Sequence, residues 1–355
     1  MIDFVDINTM RRLVALRGVS KFISELSAEI EQDYRRWDLF AKSPRHAVHS
    51  DVGVIELMPT SDGTQYGFKY VNGHPKNPDA GLLTVMAFGV LADVRTGYPL
   101  LLSEMTILTA LRTAATSVMA ARHLARRDSK VMALIGNGSQ SEFQAIGFHH
   151  DTGITQVRLY DVDPAATDKL IRNLTALHLP GLDVVRCKST EDACRGADII
   201  TTITADKKNA TILTPEMVLP GMHLNAVGGD CPGKTELQAQ ILTHPASKVF
   251  VEYEPQSRIE GEIQQMPETF KVTEFADLLS GKAAGRTTRE DITIFDSVGF
   301  ALEDFSALRY VHRLYKEIFG TKETLDLVPD TNDPKNLFGL LTQAPAKNSA
   351  SSWLG

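Results

Sequence analysis

The sequence predicts an α/β protein in which a doubly wound parallel sheet follows an α+β region. Three observations carry this. From about Lys130 the apolar runs alternate strand, helix, strand, the rhythm of a parallel sheet covered by helices. A Gly136-Asn137-Gly138 turn stands between the apolar run Val131–Ile135 and a helical segment. Before Leu102, by contrast, short segments of alternating polarity are separated by turn residues, as in an antiparallel sheet. A chain of 355 residues suits two domains rather than one.

The elements follow in order. Residues 14–41 carry helical periodicity, with Phe22, Ile23, Leu26, Ile30 and Tyr34 on one face. Strands are expected over 52–58, 66–71, 83–91 and 99–102, divided by Ser61-Asp62-Gly63 and Thr96-Gly97. Residues 104–127 form one long Ala-rich helix joining the two halves. Strands over 131–135, 157–161, 198–202, 222–227 and 248–252 and helices over 140–150 and 167–177 build the parallel sheet. Residues 301–319 are helical and too short to fold alone, so they return to the first domain. The division is 1–125 with 305–342, then 126–304; the Ala/Ser/Asn-rich tail 343–355 is expected to be disordered.

Composition narrows the function. The hydrophobic share is 43%, the charged share 23% and the formal net charge −7, the balance of a soluble globular protein. No long basic run is present, which argues against a nucleic-acid partner. Arg122, Arg126 and Arg127 read as a helix C-terminus. No apolar segment has the length of a membrane span, and the first residues lack a signal-peptide pattern. Cys187, Cys194 and Cys231 form an odd set without metal spacing, which predicts reduced thiols in the cytoplasm. His46 and His49 have no further ligand cluster, so no metal is assigned.

Gly136-Asn137-Gly138-Ser139-Gln140-Ser141 follows a strand and opens a helix, the context of a Rossmann-type dinucleotide turn. Gly136 permits the tight turn, and Gly138 lets backbone N–H groups approach a pyrophosphate at the helix N-terminus. Ser141 replaces the usual third glycine and is small enough to pack there. Asp161 ends the next strand, 23 positions after Gly138, where an acid accepts from the adenosine ribose and repels a 2′-phosphate. NAD is therefore favoured over NADP; Asp163 is a weaker candidate. Thr202 and Ala205 follow a later strand, at the sheet edge where dinucleotides lie.

The stretch 225–237, NAVGGDCPGKTEL, places one acid, Asp230, after Gly228-Gly229 and four residues before Lys234. The glycines are expected to take backbone angles that side chains forbid and to admit a ligand, and Pro232-Gly233 to make a turn. A lone carboxylate on a rigid loop at a strand end suits a general acid/base. Arg45, Lys69 and Arg112 lie in apolar or strand-like settings of the first domain; each alone reads as a surface or salt-bridged residue, and together they suggest a carboxylate-binding pocket. Glu56, in VIELM, reads equally as holder of a water or an ammonium and as an exposed strand position.

With these residues in place, the chain resembles the ornithine cyclodeaminase/mu-crystallin family over roughly residues 4–338. The motifs are SDVGVIELM (50–58), FKYVNGHP (68–75), ALRTAATS (110–117), ALIGNGSQSEFQ (133–144), HLNAVGGDCPGKTEL (223–237) and FDSVGFALED (295–304). Asp-Cys-Pro-Gly-Lys is the most specific, because it separates cyclodeaminase-like members from mu-crystallin-like ones. The resemblance implies a Rossmann domain paired with an α+β substrate-binding domain that forms a homodimer through its sheet. It implies that Arg45, Lys69 and Arg112 hold a substrate carboxylate, with Arg112 also near the cofactor, and that Val298 lines the substrate. Asp230 would exchange protons beside the substrate amines. Thr84, Ser139, Gln140, Asp161, Thr202, Val227, Gly228, Gly229, Asp230, Lys234 and Ser297 would contact NAD.

The implied reaction is L-ornithine to L-proline plus ammonia, with NAD reduced and reoxidised within one turnover. It needs a closed site, because water hydrolyses the imine formed on the way. Three alternatives stand beside it. Lysine cyclodeamination to pipecolate differs by one methylene, which a hydrophobic pocket discriminates by only roughly 10–200-fold. An amino-acid dehydrogenase or ketimine reductase would consume cofactor stoichiometrically. A mu-crystallin-like binder would not turn over, and the intact Asp230 and Lys234 argue against it.

Overall fold

The computed structural model describes residues 1–205, 211–329 and 333–342. The tail predicted to be disordered, 343–355, lies outside the described residues. In chain order the elements are β1 (Ile2–Val5), α1 (Ile7–Arg17), α2 (Val19–Arg35), β2 (His46–His49), β3 (Val54–Ser61), β4 (Gln65–Gly73), β5 (Ala87–Asp93), β6 (Pro99–Glu104) and α3 (Thr106–Leu124). Then come β7 (Val131–Ile135), α4 (Ser141–Thr152), β8 (Gln156–Tyr160), α5 (Pro164–Leu177), β9 (Asp183–Arg186), α6 (Thr190–Cys194), β10 (Ile199–Thr202) and β11 (His223–Ala226). The chain continues through α7 (Ala239–Leu242), β12 (Ser247–Val251), α8 (Glu254–Glu260), β13 (Thr273–Glu274), α9 (Phe275–Leu279), β14 (Ile292–Asp296), α10 (Ala301–Phe319), β15 (Thr324–Leu325) and α11 (Gly339–Thr342).

Among the described residues, the first sheet runs β15-β1-β6-β5-β4-β3-β2 and the second β13-β12-β14-β11-β10-β7-β8-β9. Every pairing in the second sheet is parallel. Its strand order reverses between β7 and β10, which opens a crevice at their carboxyl ends, the place where such sheets bind ligands. The first sheet is antiparallel except where β1 pairs with β6, a parallel contact that the expected meander lacks. Four residues, Ile2–Val5, are too few to show a strand period in sequence.

The helix expected over 14–41 is two helices. Gly18, at φ 82°, breaks the run and serves as cap to both sides, and α2 ends at Arg35. Helix α3 ends at Leu124, so Arg126 lies beyond it, paired with Asp198 rather than with the helix end.

Burial alternates along β3 and β4, and the inner face carries Glu56, Met58, Lys69 and Val71. Helix α10 returns across this face as predicted: a Cβ on Gly67 would stand 3.1 Å from Phe305. One apolar cluster runs from this contact through α2 and α3 to β7 and β8, and a second fills the far side of the parallel sheet. The outer face of the first sheet keeps half-exposed apolar residues, among them Ile55, Leu57, Tyr66 and Phe88. Tyr70 and Phe88 stack there at 5.0 Å. No described helix is long and apolar enough to cross a membrane.

Candidate active site

The crevice is built by the turns that leave β7, β10, β11 and β14. Gly136 follows β7 with φ 93°, and any Cβ on it would meet the Ile203 carbonyl oxygen at 2.5 Å. Glycine is required on both counts. A Cβ on Gly138 would meet nothing within 4 Å, and the N-terminus of α4 has no side-chain cap, which leaves N–H groups of its first turn without a side-chain acceptor. Ser139 and Gln140 complete that turn. Ser141 is buried and its hydroxyl donates to the Gly138 carbonyl at 2.7 Å, which braces the turn from within. Asp161 Oδ2 accepts from Asn137 N at 2.5 Å, bringing the acid against the glycine turn. Asp163 instead caps α5, accepting from Ala165 N at 2.9 Å. These residues fit an adenine dinucleotide: free donors at a helix N-terminus, no side chain in the way, and an acid at the end of the second strand.

Thr202 ends β10, and its carbonyl accepts from Val227 N at 2.9 Å and Gly228 N at 3.1 Å. Ser297 N donates to the Ala226 carbonyl at 2.9 Å. The loops bearing Thr202, Val227–Asp230 and Ser297 therefore lie side by side. Gly228 and Gly229 do not have the positive φ expected of them. They are glycines because buried carboxylates press on them: a Cβ would stand 2.2 Å from Glu236 Oε1 at Gly228 and 2.6 Å from Glu262 Oε1 at Gly229. Pro232-Gly233 turns as predicted, with Lys234 N donating to the Cys231 carbonyl at 3.1 Å. Thr84 stands apart. It precedes β5, its carbonyl accepts from His74 N at 2.8 Å, and among the described residues no hydrogen bond or ion pair joins it to the other site residues.

The three cations converge, each held by an acid of this chain. Arg45, just before β2, reaches Glu56 Oε2 at 3.0 Å and Glu260 Oε1 at 2.8 Å. It also donates to the carbonyls of Val298 and Gly299, both at 2.6 Å. Arg112, on α3, meets Glu303 Oε2 at 2.9 Å and Asp304 Oδ1 at 3.0 Å. Lys69 meets Asp304 Oδ2 at 2.8 Å. The exposed-strand reading of Glu56 is overturned: the residue is buried on the inner face of β3.

Sequence reading missed the acid partners Glu252, Glu260, Glu303 and Asp304. Glu303 and Asp304 lie in the first turn of α10, where the FALED motif offered a signal; Glu260 and Glu252 offered none. Five carboxyls thus surround three cations. Burial pushes Glu260 up to about 8, against the pull of Arg45. Burial, and then Glu303 beside it, raise Glu252 well above the usual carboxyl range. Both therefore tilt toward the neutral acid, which relieves the excess of negative charge. Burial alone would weaken the protonated form of Arg45, but Glu260, Glu56 and Asp230 outweigh it and the guanidinium is held more tightly than usual. Burial and Arg112 together bring Lys69 down to about 8 in spite of Asp304. Asp230 faces this cluster from the loop after β11, within charge-interaction range of Arg45 and Glu260.

A parallel sheet with a dinucleotide turn, and beside it a cluster of buried cations with one open carboxylate near Arg45, define an NAD-binding fold with a polar site next to the crevice. The ornithine cyclodeaminase/mu-crystallin family model matches residues 8–317, and the chain belongs to that family. It is 60% identical over 341 residues to the ornithine cyclodeaminase of Brucella suis, covering 96% of this chain and 94% of that one. Among solved structures, it resembles an archaeal alanine dehydrogenase dimer with bound NAD (TM-score 0.80, 30% identity, 89% of this chain and 96% of that one). It also resembles a lysine cyclodeaminase studied for recognition of L-lysine, L-ornithine and L-2,4-diaminobutyric acid (TM-score 0.81, 28% identity, 89% and 93%).

Proposed function

We propose that this chain is an NAD-dependent ammonia-lyase that converts L-ornithine to L-proline and ammonia. The observation that carries the reading is Asp230: one half-exposed carboxylate, on a loop at the sheet's carboxyl edge, within charge-interaction range of Arg45, which belongs to a cluster of three cations already fixed by their own acids. The 60% identity to a named ornithine cyclodeaminase supports ornithine over lysine as the substrate.

In this reading Arg45, Lys69 and Arg112 receive the substrate carboxylate. Their acid partners hold them in place before the substrate arrives, so little ordering remains to be done on binding. Val298 lines the site and Glu56 stands next to the amines. Asp230 takes a proton from an ammonium, freeing the nitrogen lone pair for ring closure, and returns a proton to the departing ammonia. Holding the distal amine beside Cα makes cyclisation intramolecular, which is worth up to about 10 kcal/mol. Gly136, Gly138, Ser139, Gln140, Asp161, Thr202, the Val227–Asp230 loop, Lys234, Ser297, Arg112 and Thr84 are the proposed NAD-contacting set. When bound, NAD supplies a temporary oxidation of Cα that is reversed before product leaves.

The half-exposed apolar outer face of the first sheet supports a homodimer formed there. The division 1–125 with 305–342 against 126–304 separates a substrate-binding and dimerisation domain from a nucleotide-binding one. A cytoplasmic role in proline formation from ornithine is part of the same reading, supported by three cysteines that form no disulfide.

One assay tests the reading. Purified protein is incubated with L-ornithine or L-lysine and catalytic NAD, and ammonia, cyclic product and NADH absorbance are followed. L-Proline and ammonia without net NADH are expected. Net NADH would identify a dehydrogenase, pipecolate in preference to proline a lysine enzyme, and no product from either amino acid a binder.

A further inference from the structure

The acid loop and the turn after β10 are tied together by a carboxylate that none of the roles above uses. Glu236 is buried. Its Oε1 accepts from Thr204 N at 3.0 Å and from the Thr204 hydroxyl, and its Oε2 accepts from Gly228 N at 3.1 Å. The carboxylate occupies the space that a side chain at residue 228 would fill. Lys234 closes the ring from the other side. Its Nζ donates to the Thr204 carbonyl at 2.7 Å and lies 3.4 Å from Asp230 Oδ1. Thr204 is thereby gripped at both backbone polar groups, its N–H by Glu236 and its C=O by Lys234, two residues of the loop that also bears Asp230. Glu236 is anchored in turn: its N–H donates to Glu262 Oε1 at 2.7 Å, and Glu262 N donates to Asp296 Oδ1 at 2.8 Å.

We propose that Glu236 is a positioning residue, which locks the Thr202–Thr204 turn to the Gly228–Asp230 loop so that dinucleotide and proton acceptor are held at a fixed separation. The proposal rests on the cyclodeaminase reading for what the two loops carry. Its physical basis does not: without Glu236 the part-buried Thr204 N–H loses its acceptor and the buried Gly228 N–H keeps only the Thr202 carbonyl, so the direct tie between the two loops is lost and the backbone is driven to rearrange. A shift of about 1 Å between reacting groups is enough to cost about 100-fold in rate.

Glu236→Gln is the first test. A side-chain amide has one acceptor oxygen, so it serves one loop and turns an N–H against the other. The expected result, per folded active site, is a kcat lowered about 100-fold with the ornithine KM unchanged, and an NADH Kd weakened about tenfold in a fluorescence titration. Glu236→Asp keeps both acceptors on a shorter arm and recovers part of each loss. A purely stabilising role would lower Tm and leave kcat and NADH affinity at wild-type values, and that result overturns the proposal. Should Glu236→Gln fail to fold, Thr204→Val removes only the hydroxyl donor. It is expected to weaken NADH several-fold, and unchanged NADH binding in that variant likewise refutes the coupling. The NADH titration needs no turnover, so absence of ornithine turnover in the wild-type protein would remove the proposed function while the link between the loops is still decided by binding.

Discussion

Asp230 and Lys234 stand 3.4 Å apart, yet solvent reaches only one of them: the side chain of Asp230 is 55% exposed and that of Lys234 3%. The lysine belongs to the scaffold beneath the loop, where Asp230 and Glu236 hold its ammonium more firmly than burial alone would allow. The aspartate is the member of the pair that is open to the crevice.

Asp230→Asn follows directly. The amide is isosteric and leaves the loop's Asp230 N to Gly228 O bond of 3.1 Å intact. Turnover should fall by about 10²–10⁴-fold, the usual worth of a positioned acid/base. NADH binding should change far less than turnover, because the loop's backbone contacts remain, and Tm should move little, because a half-exposed ion pair contributes about 0–1 kcal/mol. Near-normal turnover would remove Asp230 from the chemistry.

Lys69 gives the site a pH dependence. Burial first and Arg112 second lower its pKa from the ordinary lysine value to about 8. Its charge is lost as pH rises through about 8, so the ornithine KM should climb above that pH. Lys69→Arg keeps its charge and should move this limb upward. The stability sign is opposite. Between about pH 8 and the ordinary lysine pKa the unfolded chain binds the extra proton, so this group makes folding more favourable as pH rises across that window. Titrating KM and urea midpoints from pH 7 to 10 separates the two effects.

The proposed role of Asp161 is to choose between the two dinucleotides. Both of its oxygens accept backbone N–H groups, Asn137 at 2.5 Å and Asp163 at 2.8 Å, which aims the carboxylate at the end of β8. Asp161→Ser removes the charge that opposes a 2′-phosphate. The NADP-to-NAD ratio of kcat/KM should rise about tenfold or more, equivalent to about 1.4 kcal/mol. An unchanged ratio would place the ribose elsewhere.

The outer face of the first sheet predicts the assembly. Tyr70 pairs with Phe88 across β4 and β5, and the two rings stack at 5.0 Å on that face. Tyr70→Glu with Phe88→Glu would put two charges into any apolar interface there. Sedimentation should show a dimer for the wild-type chain and a monomer for the double variant. A wild-type monomer, or a variant that stays dimeric, would move the interface off this sheet.

Much of the fold was legible because it is local. The parallel strands are short apolar runs, the α10 range was read to the residue, and the turn at Gly136 carries its own requirement for glycine. The misses are also physical. The helix break at Gly18 was hidden inside a continuous apolar stripe, and the strand at Ile2–Val5 was too short to show a period. At the candidate site, Asp230 and the three cations could be singled out, whereas Glu236, Glu252 and Glu260 looked like any acidic residues.

The sequence alone determined the class of sheet, the dinucleotide turn and the family, since each rests on residues close together in the chain. Only the tertiary structure decided which carboxyls are buried against which cations. Lys69 and Asp304 are 235 positions apart and meet at 2.9 Å in the buried site. Such pairings depend on how α10 crosses the first sheet and how neighbouring strand ends align. Burial, which sets the strength and protonation of charged groups, is a property of that packing and is written in no single segment.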